Sequence, residues 1–232
     1  MANYNTNLKS SQGSFDSLMK EGFGIVTVMD AYVCEALPVS VLKTATAYEV
    51  ANADYKTGLK NGKVTVKGKD ISVYCKLDTL KVANVSQEGP SKTVTGGQFS
   101  NPLIKFGKSA RLEMQDALGN SEAIERLCGG FQEWNDTNKI VGLHFGEDFQ
   151  GPKMIVGDSF FINRKTGQQV KVKIVFYQFL PDSIFNLTQD AEGDASVFDM
   201  NGDLLTSVIA VDNGKTHGVF YSIVDPSEEV SK

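Results

Sequence analysis

Gly107-Lys108-Ser109 has the ending of a phosphate-binding loop, in which backbone amides and a lysine cradle the phosphates of a nucleotide. That loop needs a glycine five positions before Gly107, and Pro102 stands there. The backbone therefore cannot wrap a phosphate in the same way. Asp190, Glu192 and Asp194 alternate as the first ligands of a calcium loop do. The sixth position is Ala195 and the twelfth Asn201, so the glycine turn and the bidentate glutamate of an EF-hand are both missing. The chain has two histidines, His144 and His217, and three widely spaced cysteines, Cys34, Cys75 and Cys128. No spacing among them points to a nucleophile–base pair, a zinc site or a disulfide framework. The expectation is a protein without catalytic residues, cofactor or metal. Were it an enzyme, Cys128 and His144 would be the first suspects. Were it a carbohydrate- or receptor-binding module, Trp134 and Tyr177 would be its stacking platforms.

The elements that would position these groups are read from hydrophobic periodicity. Residues 1–14 are polar and read as a flexible arm. Gly24 to Cys34 is an apolar, β-branched run, expected as a buried strand, and Val39 to Ala51 as another. Asn52 to Gly62 is turn-rich, and its Asn61-Gly62 pair signals a hairpin. Val64, Val66, Ile71, Val73, Cys75 and Leu77 keep a period of two around the turn Lys67-Gly68-Lys69-Asp70. Residues 62–100 read as successive hairpins and a long loop. Over Ser109 to Phe131 the period changes to that of a helix, with Ser109 as its cap and Gly129-Gly130 as its stop. Strands return from Met154 onward, with tight turns expected at Arg164 to Gly167, Asn201-Gly202 and Asn213-Gly214. At least ten strands and one helical region, about 109–131, give a mainly β fold: a sandwich or barrel with a helix packed on it. The domain is expected over 15–225, with a tail at 226–232.

Charge narrows the function further. The 232 residues carry 23 basic and 28 acidic side chains, a net of −5, which argues against a strongly basic nucleic-acid binder. The average hides two blocks. Residues 56–108 hold ten lysines against three acids, a net of +7, and residues 174–214 hold seven acids and no lysine or arginine. Opposite blocks of this size suggest complementarity between copies, or two faces with different partners. No apolar run approaches the roughly 18 residues of a membrane-spanning helix. The N-terminus lacks the apolar core of a signal peptide, so folding in a cytoplasm is expected.

The polar N-terminal arm, the many strands, the lysine-rich hairpin region, the lone helix SARLEMQDALGNSEAIERL and the acidic segment FNLTQDAEGDASVFDMNGDL together resemble bacteriophage tail tube proteins, over about residues 20–224. The resemblance implies a β-sandwich subunit whose inner sheets join into a ring, commonly of six copies. Stacked rings form a hollow tube that conducts DNA during ejection. It implies a structural virion protein of the tail, made in the cytoplasm of a bacterial host, whose partners are itself and the tape-measure and tail-end proteins. DNA would pass without specific binding. The candidate lumen-facing acids are then Asp182, Asp190, Glu192, Asp194, Asp199 and Asp203. Lys81 and Lys92, within Thr79 to Gly97, would belong to a long loop or hairpin reaching a neighbouring subunit or ring. The alternatives are another ring-forming virion protein, such as a distal tail, tail terminator or baseplate protein, or the carbohydrate-binding module.

Overall fold

The longest apolar alternations in the chain pair with each other to make the middle of one large antiparallel sheet. In chain order the computed structural model has α1 (Phe15–Glu21), β1 (Phe23–Ile25), β2 (Asp30–Glu35), α2 (Val39–Leu42), α3 (Ala47–Ala51), α4 (Tyr55–Asn61), β3 (Lys63–Val66), β4 (Lys69–Leu77), β5 (Leu80–Glu88), β6 (Ser91–Thr93), β7 (Leu103–Lys105) and β8 (Ser109–Asp116). The series continues with α5 (Ser121–Cys128), β9 (Gly130–Trp134), β10 (Ile140–Phe145), β11 (Lys153–Asn163), β12 (Gln169–Pro181), β13 (Phe198–Leu204), β14 (Ser207–Ala210), β15 (Thr216–Val219) and β16 (Tyr221–Val224). The structure describes residues 14–25, 30–78, 80–89, 91–93, 103–105, 107–116, 121–147, 149–183, 198–210 and 215–227.

Ten strands form the main sheet, in the order β3-β4-β2-β11-β12-β13-β8-β5, with β1 beside β11 and β16 beside β12. The fold is mainly β, sandwich- and barrel-like but not closed. Three two-stranded ribbons, β9–β10, β14–β15 and β6–β7, stand off it. The β11–β12 hairpin is covered on both faces over 154–156 and 174–177, and there its sequence is apolar or aromatic at every position. Ile155, Phe161, Ile174 and Phe176 enter one core with Leu18 of α1 and Ala123, Ile124 and Leu127 of α5. Met154, Val156, Val175 and Tyr177 enter a second core on the opposite face, with Leu42, Val50, Ala51 and Tyr55 from α2, α3 and α4. Full burial of each large side chain contributes about 1.5–3 kcal/mol, so the two cores clamp the hairpin from both sides. The expected Arg164–Gly167 and Lys67-Gly68 turns are present, with Lys67 at φ 49° and Gly68 at φ 76° between β3 and β4.

Four expectations are corrected. Ser109–Asp116 is a strand, not the start of a helix, and among the described residues of the 109–131 region only Ser121–Cys128 is helical. Leu112 and Met114 point into the core while Arg111 and Glu113 face out, and β5 and β13 hydrogen-bond both edges. That pairing overrides the helix propensity of Leu, Glu, Met and Gln. The expected strand over 39–51 is instead α2 and α3. Thr46 and Glu49 form a reciprocal capping box that starts α3. The Asn61-Gly62 pair ends α4, where Gly62 takes the left-handed conformation (φ 74°) that a helix C-cap requires. Asn201-Gly202 makes no turn and lies inside β13. One further helix, α1, is capped by Ser14, a residue expected in the arm. The rest of the arm (1–13), Asn213-Gly214 and most of the tail lie outside the described residues.

Candidate functional site

The acidic block is organised by β13 and β8. Alternation sends Met200 and Leu204 into the core and leaves Asp199, Asn201 and Asp203 on the outer face. On the neighbouring β8 the outward residues are Arg111, Glu113 and Gln115, and the register places Asp203 opposite Arg111, Asn201 opposite Glu113 and Asp199 opposite Gln115. Asn84 and Ser86 of β5 continue the face, opposite Glu113 and Arg111. Three adjacent strands thus present one polar, acid-rich wall backed by a buried apolar layer.

Arg111 is the hub of this wall. Its guanidinium grips Asp182, just past β12, through both Nη atoms, and Nη1 also donates to Asp203 Oδ1 at 3.2 Å. The Asp182 contact holds the Arg111 pKa above its ordinary value, with Asp203 adding to it. Gln115 Nε2 donates to Asp199 Oδ1 at 2.8 Å. Of the expected lumen acids, Asp182, Asp199 and Asp203 are therefore brought together, two of them on a single cation. Asp190, Glu192 and Asp194 lie outside the described residues. Glu113 and Arg111 were missed as members because they were assigned to a helix. The period-two pattern Ala110, Leu112, Met114 was the signal that could have found them.

Of the expected loop or hairpin, Lys81 lies in β5, within the main sheet, and Lys92 in the β6–β7 ribbon. β5 is nine residues long and pairs with β8 alone among the described residues. Asn84, Val85, Ser86 and Gln87 are exposed along it.

The other singled-out residues are dispersed. Cys128 is buried on the core side of α5, and burial pushes its thiol up to about 11. His144 is on the exposed β10, where it bonds Glu133 Oε2 at 2.8 Å and stacks on Phe131. Tyr177 is fully buried, with its hydroxyl 2.8 Å from Ser222 Oγ, so it offers no stacking platform, while Trp134 is 56% exposed. Gly107-Lys108-Ser109 leads into a strand, not a helix N-terminus, so its amides are not gathered to face a phosphate. A shallow cleft lined by Tyr32, Asp54, Lys56, Asp158 and Lys173 opens beside α4. Lys173 spans part of it to donate to Ala51 O at 2.9 Å, and burial holds its pKa below the ordinary lysine value. Among the described residues no helix is long and apolar enough to cross a membrane.

No family model matches the chain, and no curated protein matches its sequence.

Proposed function

We propose that this protein is a structural subunit that assembles with itself into rings, stacked as the tail tube of a bacteriophage, through which DNA leaves the virion. The observation that carries the reading is the polar wall of β13, β8 and β5, which ends at β5, a nine-residue strand paired on one side only among the described residues. An open sheet edge offers a row of unpaired backbone donors and acceptors, and joining edges between copies removes that liability. Sheets joined in this way carry the wall from subunit to subunit around a ring.

The wall has the chemistry of a conduit that must not hold DNA. Asp199, Asp203 and Glu113 repel phosphates, and the one arginine among them, Arg111, is committed to Asp182 and Asp203. Asn84, Asn201 and Ser86 keep the surface wetted without adding positive charge. Binding to a polyanion depends on cations that can displace its counterions, and β8 and β13 present none that is uncommitted.

Electron microscopy of the purified protein at rising concentration and two salt levels tests the reading. Hollow tubes of stacked rings support it. Closed rings that never stack support the related ring-forming role at a tail end or baseplate. A monodisperse monomer under every condition refutes both.

A further inference from the structure

The β9–β10 ribbon stands apart from the main sheet. Its two strands pair only with each other among the described residues, and α5 together with the partly buried Leu143 ties it to the core. A two-stranded ribbon is marginal on its own in water. This one nevertheless exposes large apolar side chains: Trp134 is 56% exposed, Val141 57%, Phe131 52% and Ile140 44%. Trp134 and Ile140 are cross-strand partners at the ribbon's outer end, and the register shift at Val141 follows directly. Strand alternation puts Trp134 and Ile140 on one face of the ribbon and Phe131, stacked on His144, on the other, so with about half of each side chain uncovered Trp134 and Ile140 leave about 200 Å² of apolar surface bare on one face. A stable interface takes about 800 Å² from each partner, so this aromatic–aliphatic pair can serve as an anchor at the centre of one, with charged groups around it.

Charge complementarity bears on what could cover it. The segment carrying α5 and the ribbon, 121–147, has five acids and two basic residues. The segment carrying α2, α3, α4 and β3, residues 39–69, has six lysines and two acids. Lys43, Lys56 and Lys60 are exposed there, beside a 45% exposed Val39 on α2. α5 and the α2–α4 layer lie on opposite faces of the same sheet, since their buried residues enter the two different cores.

We propose that the ribbon of one copy docks on the α2–α4 layer of a second copy, with Trp134 and Ile140 at the centre and Asp136 among the lysines at the rim. Because the two surfaces differ and lie on opposite faces, each docked copy leaves one of each free. Such head-to-tail contacts propagate into rings or filaments and do not stop at a dimer. The inference rests on the self-assembly proposed above and names a surface for it that is separate from the β5 edge.

Trp134 is the only tryptophan, so the wild-type protein reports on its own interface. Acrylamide quenching of its fluorescence is measured on dilute protein and on the assembled fraction separated by sedimentation. The expected result is a blue-shifted emission and a quenching constant about threefold lower in the assembly, because water is excluded from interface centres. In parallel, Asp136→Lys and Lys60→Glu each raise the concentration needed for assembly about tenfold, and the two together restore it in part. Assemblies in which Trp134 stays as quenchable as in the monomer, or in which both single variants assemble like wild type, overturn the ribbon inference and leave self-assembly standing. Wild-type protein that never assembles overturns both.

Discussion

Gly202→Ala is expected to loosen the seam that joins the polar wall to the rest of the sheet. Gly202 sits in β13 between Pro181 on one side and Leu112 on the other. A Cβ built there would lie 2.2 Å from Leu180 O, 2.7 Å from Phe179 Cε2 and 2.8 Å from Pro181 Cα. Two of these three neighbours are backbone, so no rotamer change relieves the clash, and β12 and β13 must part by about 1 Å to restore ordinary contact. The seam is narrow. Its register comprises Phe179, Leu180 and Pro181 opposite Leu204, Asp203 and Gly202, flanked by Asp182 N to Asn201 O at 2.8 Å and Leu205 N to Gln178 O at 2.9 Å. Overpacking costs about 1–3 kcal/mol, and one weakened backbone hydrogen bond adds about 1 kcal/mol. The sum, about 3 kcal/mol, is a large part of the 5–15 kcal/mol that holds a domain together. Urea unfolding followed by circular dichroism measures it, with a midpoint lowered by about 1 M. Gly107→Ala is the control: nothing lies within 4 Å of a Cβ there, and the change should stay within about 0.5 kcal/mol. A Gly202→Ala variant as stable as that control would refute the close-packed seam.

Three further outcomes follow from the contacts described. Arg111→Met removes both ion pairs of the wall and should cost about 1 kcal/mol at low salt and less at high salt, read from thermal midpoints at two ionic strengths; a salt-independent loss would contradict the electrostatic account. Cys34, Cys75 and Cys128 are all buried, so a thiol reagent at neutral pH should label the native protein slowly and all three groups after denaturation, and a rapidly reacting native thiol would count against the two cores. Acid should destabilise the fold. Asn163 and Ser17 hold Glu21 below the ordinary carboxylate range by hydrogen bonding, the Thr57 amide does so for Asp54, and Thr65 and Lys63 for Asp70. The unfolded chain then binds protons first as pH falls, so stability present above about pH 4.5 is lost toward pH 3. A urea midpoint that rises between pH 5 and pH 3 would reverse that sign.

The mainly β character and the long central hairpin were legible because Val170, Val172 and Ile174 alternate with Lys171 and Lys173, the period of a strand with one face buried. Ser109–Asp116 was not legible. Its residues favour a helix locally, and the pairing that makes it a strand comes from β5 and β13, each distant in sequence. The 39–61 helices were hidden by β-branched residues and turn-formers; the caps Thr46 and Asp54 were the available signals. Asn201-Gly202 misled in an instructive way. A glycine chosen for positive φ and a glycine chosen for lack of space look the same in sequence. For the site, the excess of acid was visible in composition, but the pairing of Asp182 and Asp203 with Arg111 depends on three segments meeting, which no local pattern encodes.

The most direct test of self-assembly into a conduit is an electron-microscopic image of the purified wild-type protein at high concentration. Rings with an open centre, stacked into tubes, are predicted. Single particles of about 25 kDa, unchanged across concentration and salt, would contradict the account.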